Sequence, residues 1–358
     1  MTQRPVEARG CAARSNDSSR FDDLKREAFD DGWEMDDNAP HQVETTLTPE
    51  RARSIISYNK SPDLPFDRTI NPYRGCEHGC IYCYARPNHA YVDLSPGLDF
   101  ETKLFFKRDA AALLERELSH PKYSPRHVQL GASTDPYQPI ERELRISRQL
   151  LEVLERFNHP VAITTKSVLV LRDADILARM AEKQLAFVMI AVTTLDRKLA
   201  RAMEPRASTP ERRLAAIEAL TRAGVPVSVG LSPMIPGLTD HEMDVILARV
   251  AAVGARTAHY IPLRMPLEIK DLFREWLEAQ APDRAKKVIA FVRQMHGGRD
   301  YDAEFGKRMK GEGPLAEVMR TRFLIACRRL GLDQKDLPLR TDLFAPPPRS
   351  GDQLGLFG

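Results

Sequence analysis

The stretch that decides the fold is Asn71-Pro-Tyr-Arg-Gly-Cys76-Glu-His-Gly-Cys80-Ile-Tyr-Cys83-Tyr-Ala-Arg86. Three of the chain's five cysteines stand in it, at the spacing C-x3-C-x2-C, while Cys11 and Cys327 lie far away. An odd, clustered set, with no apolar secretory run between Met1 and Asp23, is not a disulfide framework. It reads as a metal site in a reducing compartment, and the chain is expected in the cytoplasm. A structural zinc site closes four ligands around the ion, commonly from two Cys pairs, and a second pair is absent here. His78 or His89 would have to supply the fourth ligand, and His78 sits in a tight loop between two of the cysteines. An iron–sulfur cluster on three thiolates instead keeps one iron with an open coordination position. The spacing favours the cluster, with zinc as the alternative.

Outward from this segment a βα rhythm begins near Asp67. Apolar, β-branched runs predict strands at Arg68–Pro72, His127–Gly131, Val161–Thr165, Ala186–Val192, Val225–Leu231 and Arg256–Pro262. Helical periodicity predicts Arg108–Leu118, Arg145–Phe157, Arg172–Lys183, Pro210–Ala223 and Thr239–Val253 between them. The helix from Pro210 is well punctuated, with Thr209 at the N-cap, Pro210 at the first helical position and Gly224 after the end. Strands separated by single helices imply a parallel sheet with right-handed crossovers, here an α/β partial barrel of six βα units. Phe100–Lys107 is expected to add a short strand. After Pro266 the pattern turns helical, at Leu267–Ala279, Pro282–Met295 and Pro314–Leu330. Twelve bases and five acids between Arg284 and Arg329 make this extension basic.

The whole chain has 358 residues, 42% apolar and 29% charged, with a net charge of +3. That balance suits a large folded core and argues neither for nor against a polyanionic partner. No run of 18 apolar residues predicts a membrane span. Residues 1–45 are polar and acidic and are expected to be a mostly disordered arm. The barrel core is assigned to 46–265, the helical basic extension to 266–340 and a flexible, Pro-containing tail to 341–358.

The three cysteines, with Tyr82 just before the last of them, at the end of a first barrel strand, resemble the radical S-adenosylmethionine (SAM) superfamily. Ser61-Pro-Asp-Leu-Pro-Phe-Asp67, Cys83-Tyr-Ala-Arg-Pro87-Asn-His89 and Gly131-Ala-Ser-Thr-Asp-Pro-Tyr-Gln-Pro-Ile-Glu141 are similar to the branch grouped with spore photoproduct lyase and called DNA-repair photolyase-like. The resemblance covers roughly residues 50–340. It implies that Cys76, Cys80 and Cys83 ligate a 4Fe–4S cluster and that SAM chelates the fourth iron. It implies a one-electron donor such as flavodoxin or ferredoxin, and a 5′-deoxyadenosyl radical that takes hydrogen from substrate. One departure limits the carry-over. Spore photoproduct lyase proper returns a hydrogen through a cysteine downstream of the cluster loop, and this chain has none between Cys83 and Cys327. The same scarcity argues against auxiliary clusters.

Active sites of such barrels lie at the C-terminal ends of the strands. Ser133, Thr134 and Asp135 are therefore candidates for the SAM amino group, or simply for a turn. Lys166 suits a carboxylate or phosphate, with helix capping by Thr165 or Ser167 as the alternative. The resemblance implies that Thr193 and Thr194 stand where ribose hydroxyls are commonly held, with Asp196 capping the next helix as the alternative. Arg206 is a candidate carboxylate clamp, or the partner of Glu204 in a loop ion pair. Pro233 and Ile235 would lie near adenine, or belong simply to a strand-to-helix loop with Thr239 as N-cap; Tyr260 through Arg264 would close the substrate side; and Tyr84 is a candidate hydrogen-atom relay, or packs beside the cluster. The basic extension suggests DNA as partner, with a solvated amphipathic face as the alternative. The terminal Gln353-Leu-Gly-Leu-Phe357 is similar to the peptide by which bacterial repair and replication proteins bind the DNA sliding clamp, matching at Gln353, Leu354, Leu356 and Phe357. Three readings follow: a radical SAM enzyme on damaged or modified nucleic acid, one on a small molecule or protein, and a zinc-dependent nucleic-acid-binding module.

Overall fold

The computed structural model describes residues 10–21, 44–333 and 337–347. In chain order its strands are β1 (Thr46–Pro49), β2 (Ile56–Tyr58), β3 (Arg68–Ile70), β4 (Tyr73–Arg74), β5 (Lys103–Phe106), β6 (Val128–Leu130), β7 (Val161–Thr165), β8 (Ala186–Ala191), β9 (Val227–Met234) and β10 (Thr257–Pro262). Its α-helices are α1 (Leu98–Thr102), α2 (Ala110–Leu118), α3 (Glu141–Leu144), α4 (Ile146–Arg156), α5 (Ala174–Glu182), α6 (Arg197–Met203), α7 (Pro210–Arg222), α8 (Met243–Ala252), α9 (Ile269–Gln280), α10 (Pro282–Met295) and α11 (Gly313–Leu330). The six expected barrel strands are all present, side by side and parallel in the order β10-β9-β8-β7-β6-β3. β2 pairs antiparallel on β3, so the sheet is an open partial barrel with edges at β2 and β10. Its central strands are buried on both faces, which explains their continuous apolar runs. The short strand expected before the first long helix is β5, which pairs with β1 and β4 in a separate small sheet.

The helices form where the sequence spaces an apolar stripe. In α4, Ile146, Leu150, Leu151 and Leu154 are all buried against the sheet, each worth about 1.5–3 kcal/mol relative to exposure. α7 starts at Pro210 as expected, yet the Thr209 side chain makes no cap bond. Its end is a Schellman-like turn: Gly224 sits at φ +80° and Val225 N–H returns to Leu220 O at 3.0 Å.

A short stretch near each end is packed on the core. Residues 10–21 of the arm are packed: Ala12 and Ala13 are buried, and their N–H groups donate to Glu101 Oε2 and Oε1 at 3.0 and 2.9 Å. Gly97 is required for this approach, because a Cβ there would stand 2.1 Å from Ser15 O. The start of the tail is also docked. Phe344 lies against Phe157, Tyr123 and His159, and Ala345 N–H donates to Phe157 O at 3.1 Å. The remainder of the arm and the clamp-like residues Gln353, Leu354, Leu356 and Phe357 lie outside the described residues.

The extension after Pro266 is built into the barrel. Tyr260 of β10 packs on Phe323 of α11, with ring centroids 4.8 Å apart, so α11 serves as the helix of the sixth unit. α9 and α10 instead carry a second core under the cysteine loop: Phe273, Trp276, Leu277, Val288 and Val292 meet Cys80, Ile81, Tyr82 and Met203. Trp276 Nε1–H donates to Ala202 O at 3.0 Å, satisfying its buried donor.

Candidate functional site

The cysteine loop leaves β4 at the C-terminal end of the barrel and is fixed by backbone bonds. Cys76 N–H donates to Phe100 O, Ile81 N–H to Met203 O and Cys83 N–H to Cys80 O, at 2.9 to 3.1 Å. Gly79, at φ +64°, allows the loop to lie on Glu101, since a Cβ would stand 2.5 Å from Glu101 Oε2. Arg86 is the central support. It is fully buried and donates to the carbonyls of Gly79, Cys80, Pro96 and Gly97 at 2.8 to 3.0 Å, while pairing with Glu101. One guanidinium therefore satisfies four loop carbonyls, and one carboxylate holds both that guanidinium and the N-terminal segment.

Cys76 and Cys80 are buried and Cys83 is half-buried. Burial pushes all three thiols above their ordinary range, and Cys76 and Cys80 are raised further by nearby negative groups. Such thiols ionise only where bound positive charge compensates, which is what a cluster's irons provide. Cys83 touches both the core around Cys80 and the one around Cys76, so the three span two small cores. Among the described residues no three Cys, His, Asp or Glu side chains converge as one ion requires. The chemistry of the donor set, three thiols on one loop, fits a cluster with one open iron. His89 and His78 are used by the protein: His89 Nε2 lies 3.0 Å from Lys103 O, and His78 Nδ1 lies 3.2 Å from Asp135 Oδ2.

The other expected site residues do gather around this loop, but several are turned toward the protein. Asp135 accepts from Tyr137 N–H and Thr165 Oγ1 on one oxygen, and from Lys166 N–H on the other, which also faces His78. Those four contacts use its acceptor capacity, so it ties the ends of β6 and β7 to the cysteine loop. Ser133 N–H donates to Asn71 Oδ1 and Thr134 Oγ1 to Tyr73 O, both at 2.9 Å. Thr193 donates to Glu204 and Thr194 to Glu242. Ser167 caps the turn that follows it, and Asp196 caps α6 through Lys198 and Leu199 N–H. Ile235 is fully buried, and Pro233 precedes it at the end of β9. Lys166 does face the site: its Nζ lies 3.3 Å from Ser232 O and 3.4 Å from Glu204 Oε1, over the Tyr82 ring. Burial lowers its ammonium to about 8. Tyr84 stands at the mouth, 47% exposed, its hydroxyl donating to Ala132 O.

Arg206 is corrected. The expected ion pair with Glu204 is not formed. The Arg206 guanidinium donates to Glu101 O at 2.7 Å and faces Glu77 at 3.8 Å, beside Cys11. Tyr260 is corrected as well, since it faces α11 and not the substrate side. Sequence reasoning missed Glu204 as a hub. It is fully buried and receives Tyr82 Oη, Thr193 Oγ1 and Arg213, with Lys166 beside it. The sequence offered it only as a loop partner of Arg206 in Glu204-Pro-Arg206. Two surface grooves of about 530 Å³ each are present; one is lined by Arg197, Lys198, Arg201, Glu204 and Thr209, the other by Arg274, Lys286 and Arg293.

This open α/β barrel, with a three-cysteine loop over its C-terminal end, is the architecture of radical SAM enzymes, and the Radical SAM superfamily profile matches residues 70–250. The chain belongs to that superfamily, whose cofactors are a 4Fe–4S cluster and SAM. It is 33% identical over 294 residues to an uncharacterized protein of Mycobacterium tuberculosis, covering 81% of this chain and 83% of that one. A protein of Methanocaldococcus jannaschii is 27% identical over 54% of this chain and 69% of its own. Among solved structures, spore photoproduct lyase complexed with dinucleoside spore photoproduct superposes with a TM-score of 0.56 over 79% of each chain, at 14% identity. That likeness is one of fold. Among the described residues no helix is long and apolar enough to cross a membrane.

Proposed function

We propose that this radical SAM enzyme acts on damaged or modified nucleic acid. The observation that carries the reading is the mouth itself: an exposed aromatic ring, Tyr84, with a guanidinium, Arg264, lying on it directly beside Cys83. The likeness in fold to a lyase solved with a dinucleoside photoproduct supports the same class of substrate. When bound, the cluster and SAM supply reductive cleavage that yields a 5′-deoxyadenosyl radical. The chain's own work is positional. Cys76, Cys80 and Cys83 hold the cluster, and Arg86 and Glu101 fix their loop. Glu204 orients Tyr82, Thr193 and Lys166 at the strand ends, where Lys166 faces the SAM side. Pro233 and Ile235 supply an apolar wall, and Tyr84 gives a hydrogen atom to the product radical, its phenoxyl radical then being restored by one electron from the reductant and a proton from solvent. Membership of the superfamily removes the reading of a zinc-binding module.

The reading is tested by incubating reduced, reconstituted enzyme with SAM and either ultraviolet-irradiated or untreated DNA. DNA-dependent 5′-deoxyadenosine and altered bases are expected; no DNA-dependent change in either refutes it. One observation favours the second reading, a small-molecule or protein substrate. Six of the twelve bases between Arg284 and Arg329 are matched to acids (Arg293, Arg299, Lys307, Arg308, Arg320 and Arg322), so the extension is not a free cationic stripe. Recruitment then falls to the tail: Gln353, Leu354, Leu356 and Phe357 are proposed to engage the sliding clamp, with apolar anchors on a tether. The Leu356→Ala/Phe357→Ala double variant should lose binding to purified clamp, and undiminished binding refutes this.

A further inference from the structure

Arg264 follows β10 and is half-buried at the barrel mouth, yet no carboxylate meets it among the described residues. The other guanidinium groups around the barrel end are matched: Arg86 to Glu101, Arg213 to Glu204, Arg172 to Glu141 and Asp173, Arg308 to Asp63. The Arg264 guanidinium lies 4.8 Å from the centre of the Tyr84 ring, and its Nη1 points at Met309 Sδ, 3.0 Å away. A guanidinium carries five N–H donors; a thioether is a weak acceptor, and a ring face leaves the fork's edge free. Three separate segments converge on it. Tyr84 comes from the cysteine loop and is pinned to Ala132 O after β6. Met309 comes from the α10–α11 connection, which Arg308 ties to Asp63 and Ser61 Oγ at 2.6 and 2.7 Å. The third is the β10 loop itself. The slot is therefore built from fixed parts, beside Cys83.

We propose that Arg264 is the receptor for a phosphodiester of the substrate, binding its two free oxygens as a fork, and that Tyr84 offers its exposed face to the neighbouring base. A cationic group next to an open aromatic face is the combination with which proteins hold unpaired nucleotides, phosphate on one and base on the other. The proposal rests on the nucleic-acid reading and deepens it: Arg264 selects a nucleotide displaced from its stack and sets which part of it faces the cluster.

The test is an anaerobic titration of reconstituted, SAM-loaded enzyme with fluorescein-labelled thymidine dinucleotide, either as the phosphodiester or as its neutral methylphosphonate, read by anisotropy. The parent should bind the diester at least about tenfold more tightly. Arg264→Gln should fall to the methylphosphonate level, and Arg264→Lys should recover part of the difference. Undiminished diester binding by Arg264→Gln, with full iron content, overturns the proposal. Should Arg264→Gln fail to hold iron, the parent decides: equal affinity for the two linkages overturns it. A parent that binds inorganic phosphate through Arg264 but no dinucleotide overturns both the phosphodiester assignment and the nucleic-acid reading on which it rests. DNA-dependent 5′-deoxyadenosine formation left unchanged by Arg264→Gln overturns the receptor alone.

Discussion

Replacing Arg86 by Met should detach the cysteine loop from its support. Methionine keeps much of the side-chain length and none of the charge. The change leaves the Glu101 carboxylate buried without its guanidinium, and breaking a buried pair in this way costs about 3–5 kcal/mol. It also strips the donor from the carbonyls of Gly79, Cys80, Pro96 and Gly97, each costing about 1 kcal/mol or more where the loop cannot relax. These terms share one group and do not add fully, so at least about 4 kcal/mol is expected, a large part of a domain's usual 5–15 kcal/mol. At roughly 2 °C per kcal/mol for a chain of this size, the melting temperature should fall by about 8 °C. Because two of the four carbonyls belong to the loop that carries Cys80, reconstituted iron content should fall with it. The Arg86→Met/Glu101→Leu double variant should recover only part of the loss, since Ala12 and Ala13 N–H then lose their acceptor. Calorimetry and iron analysis on parent, single and double variants check this. A single variant that melts within 2 °C of the parent and reconstitutes to the same iron content refutes the reasoning, measured against the shift worked above.

Alanine at Cys76, Cys80 or Cys83 should each abolish reductive SAM cleavage and the visible absorbance of the cluster. Cys327→Ala should leave both intact and cost about 1 kcal/mol of packing, because Cys327 is buried in the outer core with α8. Stability should fall as pH drops from about 6.5 towards 4. Burial lowers the His159 imidazole to about 4, so the folded state holds it neutral. Its contribution is thus fully present above its unfolded value near 6.5 and is lost progressively below it, by up to about 3 kcal/mol. His159→Gln should flatten the acid limb of a melting-temperature profile between those values, and an unchanged limb contradicts the assignment.

The fold was legible because its information is local. Strands β6 to β10 are apolar runs bounded by turns, and α4, α7 and α11 repeat their apolar residues at helical spacing. The cluster loop was legible because three cysteines at fixed spacing have few other uses. What could not be read depends on contacts distant in sequence. Nothing near Ala12 announces that it will meet Glu101, 89 positions later. A polar, acidic arm correctly suggests little core of its own, but it does not reveal that its first part is held by two backbone bonds to one buried carboxylate. The protein partners of Asp135 and Arg206 were hidden for the same reason. Residue type and strand-end position gave each a chemistry, while the partners that consume it, His78 and Thr165 in one case and Glu101 O in the other, come from elsewhere. Glu204 illustrates the converse: an acid read only as a loop ion-pair partner becomes a hub because Tyr82, Thr193, Arg213 and Lys166 converge on it.

We propose Tyr84 as the source of the hydrogen returned to product, because the spare cysteines lie elsewhere. Cys327 is 2% exposed on α11, on the outer side of the sheet, and Cys11 is held beside Arg206 under the cysteine loop. Neither reaches the mouth. Tyr84 does, and it follows Cys83 directly, with its hydroxyl fixed on Ala132 O at the end of β6. A phenolic hydrogen exchanges with solvent, whereas hydrogens on the deoxyadenosyl carbon do not. Turnover in deuterium oxide therefore separates the two sources. If Tyr84 is the donor, solvent deuterium enters the product, and Tyr84→Phe keeps 5′-deoxyadenosine formation while product falls at least about tenfold, a barrier change of about 1.4 kcal/mol. Product free of solvent deuterium, or a Tyr84→Phe variant that forms product at the parent rate, refutes the assignment and leaves 5′-deoxyadenosine as the group that returns the hydrogen.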